Sequence, residues 1–357
     1  MPKKFLSSLE ITALVNELQS LVNAKINQIY HFDEEVIIQL HKEGKQMLRV
    51  IPGKFINITA EKKTALKPSS FCMQLRKYLA VAFIRKIYQH DSERIVIFEI
   101  EKKEKYFLII ELFPPGNLIL TDEKYMTIAA LKQQKFRDRF IKPGEKYVFP
   151  NPSFNWKELT EKKLGEILSK SEKKNLAASL ATEVGFGGLY AEEICKLSSI
   201  DKNLATAEVS KEHLKEIVAA IKRILKSIET PAGFIYEEQV TPFALSGLKS
   251  IKEFADYNSA VDTLKPVKTS PQEKKIKSVE RIIADQEDSI KKQEQEIELN
   301  NQKAELVYSH YQPLSKLLEI VKEMKKNKTW EEIKKELEKE KKIKKVDLIN
   351  KKVVVEL

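Results

Sequence analysis

The chain has 357 residues, of which 42% are hydrophobic and 32% are charged, and Lys plus Arg exceed Asp plus Glu by 63 to 52. This length suits roughly two or three domains with at least one sizeable core. The net charge of +11 suits a polyanionic partner. The sequence lacks a membrane-length apolar run, and its basic start leads into an amphipathic segment instead of a signal peptide, so we expect a cytoplasmic protein without a membrane span.

Catalytic and metal-binding signatures are missing. The sequence has no GxSxG, GxxxxGK[ST] or HExxH motif, and no GxGxxG motif after a strand. The histidines are scattered, and Cys72 and Cys195 lie far apart without a second cysteine nearby. We therefore expect neither a metal nor a cofactor, and a binding protein rather than an enzyme.

The first part of the chain predicts a mixture of helices and short strands. Ser7 and Glu10 have the spacing of a capping box, and the apolar residues after them predict a helix over 5–22. A second helix is predicted from 68 to about 82, with Phe83 at the end of its apolar stripe. Alternating or β-branched runs predict strands at 25–30, 35–41, 46–51, 94–101, 106–112 and 118–121.

A helical pattern covers 156–228 and contains a glycine-rich turn. The turn matches the hGxGxxxAxxh form of a helix-hairpin-helix motif, with Gly185, Gly187 and Gly188 as its glycines. Glycines allow a tight turn whose backbone N–H groups can point outward to a phosphate. A turn that serves only helix packing is the alternative, and both interpretations stay open.

A coiled-coil helix is predicted beyond residue 270. Apolar or small residues recur at every seventh position: Ile276, Ile283, Ile290, Ile297 and Ala304. The companion positions are partly polar, so the pattern predicts a half-polar seam that ends near residue 310. Such an arm would be roughly 50–60 Å long, and its unpaired seam would suit a homodimer.

These patterns divide the chain into five segments. A β-rich domain over 1–155 is interrupted by a helical insertion at 156–228 and closes at 229–268. A coiled-coil helix over 269–312 follows, and then a segment over 313–357 with shorter helical stretches and a strand-like end. The fold class we predict is α+β.

Several residue groups are candidates for RNA binding. Glu93 and Arg94 open a strand, where an acid beside an arginine can grip a base edge or a phosphate. A plain surface ion pair is the alternative for them. Basic residues form two further clusters, which a solvated face would also explain. The first contains Arg76, Lys77, Arg85 and Lys86. The second has Phe136 and Phe140 interleaved with its members, which suits RNA with base stacking: Lys135, Arg137, Arg139 and Lys142.

Two residues near the start of the chain are further candidates, Glu10 and Pro2. A helix cap is the simplest reason for Glu10. Pro2 would carry a free amine after removal of the first methionine, and such an amine can act as a nucleophile. No acid lies close to Pro2 in the sequence to assist it.

Six stretches, in chain order, resemble motifs of the NFACT family. They are the opening at 6–10, the PSSFCMQLRKYL stretch at 68–79, the strand start at 89–94, the turn at 111–120, the KPGEKY element at 142–147 with Pro150, and the segment 254–261 ahead of the coil. The resemblance implies an NFACT-N domain, similar to the N-terminal domain of Fpg-type glycosylases and interrupted by helix-hairpin-helix modules. It also implies a coiled coil and a middle domain that stops before the returning coil helix and the NFACT-R domain.

The resemblance implies a function in ribosome-associated quality control. Family members bind the large ribosomal subunit, its rRNA and proteins, while it carries peptidyl-tRNA. They recruit tRNA, here expected to be of the alanyl type, and support mRNA-independent C-terminal tailing. The family's Asp-Arg pair maps onto Glu93 and Arg94, and its first-helix Asp maps onto Glu10. Both acids are Glu here, which keeps the charge and lengthens the side chain by one methylene.

Two other functions are alternatives to this one. The likeness to glycosylases implies a DNA-binding glycosylase or lyase that uses Pro2, which the missing acid disfavours. An extracellular adhesin is disfavoured by the lack of a signal peptide and of disulfides.

Overall fold

The computed structural model describes residues 3–32, 34–61, 68–136, 138–151, 154–264, 271–337, 343–347 and 352–355. The chain divides into two compact units, Met1–Val267 and Lys268–Leu357. In the described part of the chain, no helix is both long and apolar enough to cross a membrane.

The first unit is built on a nine-stranded antiparallel sheet. Its strands are β1 (Lys25–Phe32), β2 (Glu35–His41), β3 (Lys45–Ile51), β4 (Phe55–Thr59), β5 (Phe83–Gln89), β6 (Ile95–Glu101), β7 (Lys105–Glu111), β8 (Asn117–Asp122) and β9 (Thr127–Ala130). Their order in the sheet is β4-β3-β2-β1-β5-β6-β7-β8-β9, and β1 meets β5 where Lys25 pairs with Phe83. The sheet therefore consists of two meanders joined at one narrow seam. Together with the helices described below, it confirms the predicted α+β class.

Helix α1 (Ser8–Leu18) begins at the predicted capping box. The Ser7 side chain accepts the Glu10 N–H, and the Glu10 carboxylate accepts the Ser7 N–H at 2.8 Å. This reciprocal capping satisfies two N–H groups at the start of the helix. Apolar side chains on most sides of α1 are buried in the main core: Leu9, Ile11, Ala13, Leu14, Val15 and Leu18.

Helix α2 (Ser70–Leu79) is shorter than predicted. Ser69 caps its start by accepting the Cys72 N–H, and the helix ends before Val81, whose φ of 60° lies in the left-handed region. A β-branched residue with that φ interrupts a right-handed helix. Phe83 consequently opens strand β5, and its assignment to the apolar stripe of the helix was wrong.

The β7–β8 turn packs directly against the β3–β4 turn. Gly116 has a φ of 70°, and a Cβ built on it would lie 2.2 Å from the backbone nitrogen of Gly53. The Gly53 N–H donates to the Glu111 carbonyl at 2.9 Å. Any side chain at Gly116 would force these two turns apart, so the glycine is required by close backbone approach.

A small flap covers the outer face of the second meander. It consists of β10 (Gln134–Lys135) paired with β11 (Phe140–Ile141). Ile141 of the flap and Tyr147 belong to a second apolar cluster, which is separate from the main core and also contains Ile95, Ile97, Phe107, Ile109 and Ile119.

The helices of the 156–228 region precede a three-stranded sheet and a return to the first sheet. The helices are α3 (Glu161–Ser169), α4 (Leu176–Thr182), α5 (Gly188–Leu197) and α6 (Lys211–Ser227), and the strands are β12 (Gly233–Ile235), β13 (Val240–Thr241) and β14 (Lys252–Phe254). Helix α7 (Tyr257–Asp262) then packs against α1 and β4. The Glu17 carboxylate accepts the Tyr257 and Asn258 N–H groups, each at 2.7 Å, and thereby fixes the start of α7 to α1.

The second unit begins with the long helix α8 (Pro271–Ser309), which has 39 residues. It is followed by α9 (Tyr311–Asn327), α10 (Trp330–Leu337), β15 (Ile343–Asp347) and β16 (Lys352–Val355). Several apolar side chains along α8 are exposed, namely Val279, Ile283, Ile290, Ile297 and Val307. Pairing of this seam as a coiled coil stays a prediction, and the side chain of Ile276 lies outside the described residues.

Candidate functional site

The first candidate, Glu10, is buried beneath the start of α1. Only 2% of the residue is exposed. One carboxylate oxygen accepts the Lys3 ammonium at 2.5 Å and the Tyr190 hydroxyl at 2.6 Å, and the other accepts the Ser7 N–H. The Lys3 ammonium also donates to the Val240 carbonyl at 2.5 Å. Glu10 therefore joins the N-terminal segment, the helical region and the β12–β14 sheet, and its carboxylate faces protein groups.

Arg94 lies close to Glu10 and is half-buried. Its Nη2 donates to the Leu112 carbonyl, while its Nε is buried without a hydrogen-bond partner. Burial lowers the pKa of Arg94 to about 10, and the nearby Glu10 carboxylate opposes that shift. Arg94 is therefore charged at neutral pH, and no carboxylate in the described ranges is close enough to form an ion pair with it.

Phe5 covers the Arg94 guanidinium. The guanidinium carbon lies 4.6 Å from the centre of the Phe5 ring, and Phe5 is 46% exposed. The next residue, Leu6, is fully buried, and its N–H donates to the Lys54 carbonyl at 3.0 Å. Phe5 is thus an exposed ring on a backbone segment that is anchored on both sides.

Glu93 precedes Arg94 on a strand start that is fixed to α1. The Glu93 N–H donates to the His90 carbonyl at 2.9 Å, and its own carbonyl accepts the Gln89 amide at 2.8 Å. The same amide donates to the Ser8 carbonyl at 3.0 Å, and the Ser8 hydroxyl donates to the Ser92 carbonyl. The half-buried Glu93 is therefore positioned by the backbone of α1.

Gln89, the first residue of the 89–94 motif, and Lys157, which no motif includes, also belong to this region. The Lys157 ammonium donates to the Gln89 side-chain carbonyl at 3.0 Å. Loss of water around that ammonium lowers the pKa of Lys157 to about 8, and the nearby Asp91 carboxylate opposes the shift. The residue as a whole still has much of its surface exposed. These contacts join residues that are distant in sequence, and no local motif could have predicted them.

Arg76 and Lys77 lie on α2, beside β1. The Arg76 Nε and Nη2 donate to the Ile29 carbonyl at 2.8 and 2.6 Å. This guanidinium therefore forms hydrogen bonds within the domain. Lys77 is exposed, with its ammonium 5.2 Å from the centre of the Tyr78 ring. Lys77 is the member of the pair that is free to meet a polyanion.

The basic cluster around the flap is divided by the fold. Lys135 is exposed, whereas Arg139 is buried and forms an ion pair with Glu111 at 2.7 Å. The Arg139 guanidinium also lies 4.6 Å from the Phe136 ring, and Tyr147 donates to Glu111 at 2.9 Å. Grouping Arg139 with an exposed phosphate-binding face was therefore wrong, because its charge is neutralised inside the domain. Arg137 lies outside the described residues.

The glycine-rich turn connects α4 to α5. Gly185 and Gly187 have φ values of 95° and 77°, which a residue with a side chain adopts only with strain. The Gly187 N–H donates to the Ala181 carbonyl at 3.0 Å, so it completes α4 and does not point outward. A Cβ built on any of the three turn glycines, including Gly188, would meet nothing within 4 Å. The turn is open on its outer side, and phosphate binding there stays a prediction.

Reactive or metal-binding groups do not converge in this region. Among the residues that the structure describes, no group of three or more His, Cys, Asp or Glu side chains could hold a metal ion. Pro2, the possible nucleophile, lies outside the described residues.

The fold defines an α+β domain that is built on a meandering antiparallel sheet, with a helical region in the same unit. The chain belongs to the NFACT family, because residues 7–356 match the model of the NFACT N-terminal and middle domains. This confirms the resemblance that the motifs indicated.

The alignments with two curated relatives extend over most of this chain. The archaeal Rqc2 homolog aRqcH of Methanocaldococcus jannaschii is 30% identical over 93% of this chain and 54% of its own length. The ribosome quality control complex subunit NEMF of Homo sapiens is 25% identical over 93% of this chain and 35% of its own length. The chain thus spans about half the length of these relatives, or less.

A solved structure shares the fold. The N-terminal part of the fibronectin/fibrinogen-binding protein from Streptococcus suis aligns with a TM-score of 0.60 and 24% identity. The alignment covers 72% of this chain and 98% of that chain.

Proposed function

We propose that this chain is a ribosome-associated quality control factor that acts in the cytoplasm. It would bind tRNA and the large ribosomal subunit, through its rRNA and proteins, when that subunit carries a stalled peptidyl-tRNA. Family membership over residues 7–356 is the observation that carries this proposal. The names of the archaeal and human relatives support the same process, and the net charge of +11 suits an RNA partner.

Arg94 is the residue that we assign to tRNA contact. A half-buried guanidinium without an ion pair in the described part of the chain can donate to a phosphate or to a base edge. Lys77 and Lys135 supply exposed charge elsewhere on the same unit. Glu93 would help to shape the Arg94 site. Protein groups already occupy the charged atoms of Glu10, Arg76 and Arg139, so we assign these residues to the fold and not to direct tRNA contact.

The protein would position tRNA and leave bond formation to the ribosome. In this account it holds an alanyl-type tRNA so that the peptidyl-transferase centre extends the nascent chain without mRNA. The open turn at 185–188 is a second candidate for phosphate contact. Helix α8, with its exposed apolar seam, would extend across the subunit or pair with a second copy.

The salt dependence of tRNA binding tests this proposal. Each phosphate that the protein neutralises releases counterion, so the logarithm of the affinity should fall linearly with the logarithm of the salt concentration. Arg94→Ala should weaken binding and make that slope shallower. Arg85→Ala is the matched control, because Arg85 lies on neighbouring strand β5, also faces a phenylalanine ring, and is paired with Glu101 at 2.6 Å. Affinity that does not change with salt would contradict the proposal.

A further inference from the structure

Phe5 is one of three exposed phenylalanines in the described part of the chain, and each of them faces a cation. Phe5 faces Arg94 at 4.6 Å, Phe83 faces Arg85 at 5.3 Å, and Phe140 faces Lys142 at 4.9 Å. Their exposed fractions are similar, at 46%, 38% and 40%. Exposure and a nearby cation therefore do not set Phe5 apart by themselves.

The charge balance sets Phe5 apart. Arg85 forms an ion pair with Glu101 at 2.6 Å, and Lys142 forms one with Glu145 at 3.3 Å. Arg94 donates to a neutral carbonyl, that of Leu112, and forms no such pair within the described ranges. Of the three rings, Phe5 is the one that lies over a cation not neutralised by a direct acidic partner.

The backbone around Phe5 is held in place. Lys3 is tied to Glu10 and to the Val240 carbonyl, and the Leu6 N–H is bonded to the Lys54 carbonyl. The ring consequently does not sit on a loose chain end, and a ligand that stacks on it would meet a prearranged surface. Because the ring is already ordered, binding loses less conformational entropy.

We propose that the exposed face of Phe5 stacks on an unpaired nucleobase of the RNA that Arg94 contacts. The inference rests on the proposed function and adds the class of ligand group that the site takes. Aromatic side chains bind unpaired bases by stacking, and a paired duplex does not offer such a face. Exposed Lys4, next to Phe5, and Arg94, beneath the ring, supply the positive charge that the flanking phosphates require.

The test compares two labelled RNAs against the full 357-residue chain by fluorescence anisotropy. One RNA is a hairpin with an unpaired loop, and the other is a blunt duplex with the same number of phosphates. Phe5→Ala should weaken hairpin binding about fivefold or more and leave duplex binding unchanged. Phe5→Tyr keeps the ring and should bind like the parent. Phe83→Ala removes a ring of similar exposure and should change neither affinity.

Several outcomes would overturn the inference. Hairpin binding that Phe5→Ala leaves unchanged would exclude stacking, and equal weakening of both RNAs would indicate a general effect on the fold. If salt and Arg94→Ala weaken hairpin binding but Phe5→Ala does not, the stacking inference alone fails. If the parent chain binds neither RNA, both the proposed function and the stacking inference fail. The same holds if neither salt nor Arg94→Ala changes its affinity for the two RNAs.

Discussion

The Tyr190 hydroxyl donates a 2.6 Å hydrogen bond to the Glu10 carboxylate, which joins helix α5 to the capping box of α1. Both groups are buried, and the same carboxylate oxygen also accepts the Lys3 ammonium. The position of Arg94 depends on this arrangement, because the strand start that carries it is bonded to Ser8 in the first turn of α1. The helical region and the strand start that carries Arg94 therefore both contact the first turn of α1, through Glu10 and Ser8 respectively.

Tyr190→Phe should destabilise the first unit. The change removes a hydroxyl from a buried carboxylate and keeps the ring, so we expect a loss of about 1–3 kcal/mol in the free energy of unfolding. Urea denaturation followed by circular dichroism measures this loss. Tyr308→Phe is the matched control, because Tyr308 is 78% exposed and its hydroxyl can bond to water. Equal stability of the two variants would show that the Tyr190 bond contributes nothing.

Glu10→Ala should have a larger effect than the loss of the tyrosine hydroxyl. It removes one side of the capping box and leaves the nearly buried Lys3 ammonium without its carboxylate. Breaking a buried pair in this way costs about 3–5 kcal/mol. Glu192→Ala is the control, since Glu192 pairs with Lys202 at the surface and such pairs contribute about 0–1 kcal/mol. The account is contradicted if both substitutions cost the same.

Arg139 and Lys135 should behave in opposite ways. Arg139→Ala leaves Glu111 buried without its cation, so the free energy of unfolding should fall by about 3–5 kcal/mol. The folded variant should keep its affinity for tRNA, since this guanidinium does not face solvent. Lys135→Ala should leave stability within about 0.5 kcal/mol and weaken tRNA binding, because Lys135 is exposed. Thermal unfolding and anisotropy on the same samples separate the two cases, and the reverse pattern would contradict the assignment.

Glu17 should make stability depend on pH. Burial raises the pKa of Glu17 from 4.5 to about 7, although the Tyr257 and Asn258 N–H groups lower it. The folded protein then holds the proton more tightly than the unfolded chain, so deprotonation favours unfolding. The stability that Glu17 contributes is complete below about pH 4.5 and falls until about pH 7.

The comparison with Glu17→Gln isolates that effect. The difference in unfolding free energy between the parent and Glu17→Gln should decrease across this pH window, by about 3 kcal/mol or less. Urea denaturation at a series of pH values measures it. A difference that stays constant, or that grows with pH, would contradict the assignment.

Local patterns predicted much of the first meander and of α1. The capping box at Ser7 and Glu10 and the strand β2 appear as the sequence indicated, because a helix cap and a short apolar, β-branched run are properties of neighbouring residues. Strands β4 and β5 were missed. Strand β5 follows α2 after a short connection, and its first residue continued the apolar spacing of the helix.

The roles of the candidate site residues were harder to predict than the elements that carry them. Lys135 and Arg139 belong to the same basic cluster in the sequence. Arg139 nevertheless forms a buried ion pair with Glu111, whereas Lys135 is exposed. Tyr190 gave no signal, since its partner Glu10 lies 180 positions away. Contacts between residues that are distant in sequence decide which charged side chains are paired inside the domain. A single sequence does not show those contacts.

The most direct test of the account is ultraviolet crosslinking of the chain in a cell lysate, followed by sequencing of the bound RNA. The parent chain is compared with the Glu93→Ala/Arg94→Ala double variant, and Arg85→Ala controls for the loss of one positive charge. The account predicts enrichment of tRNA and large-subunit rRNA with the parent and the control, and a reduced tRNA fraction with the double variant. Absence of both RNAs from the parent sample, or tRNA enrichment that the double variant leaves unchanged, would contradict it.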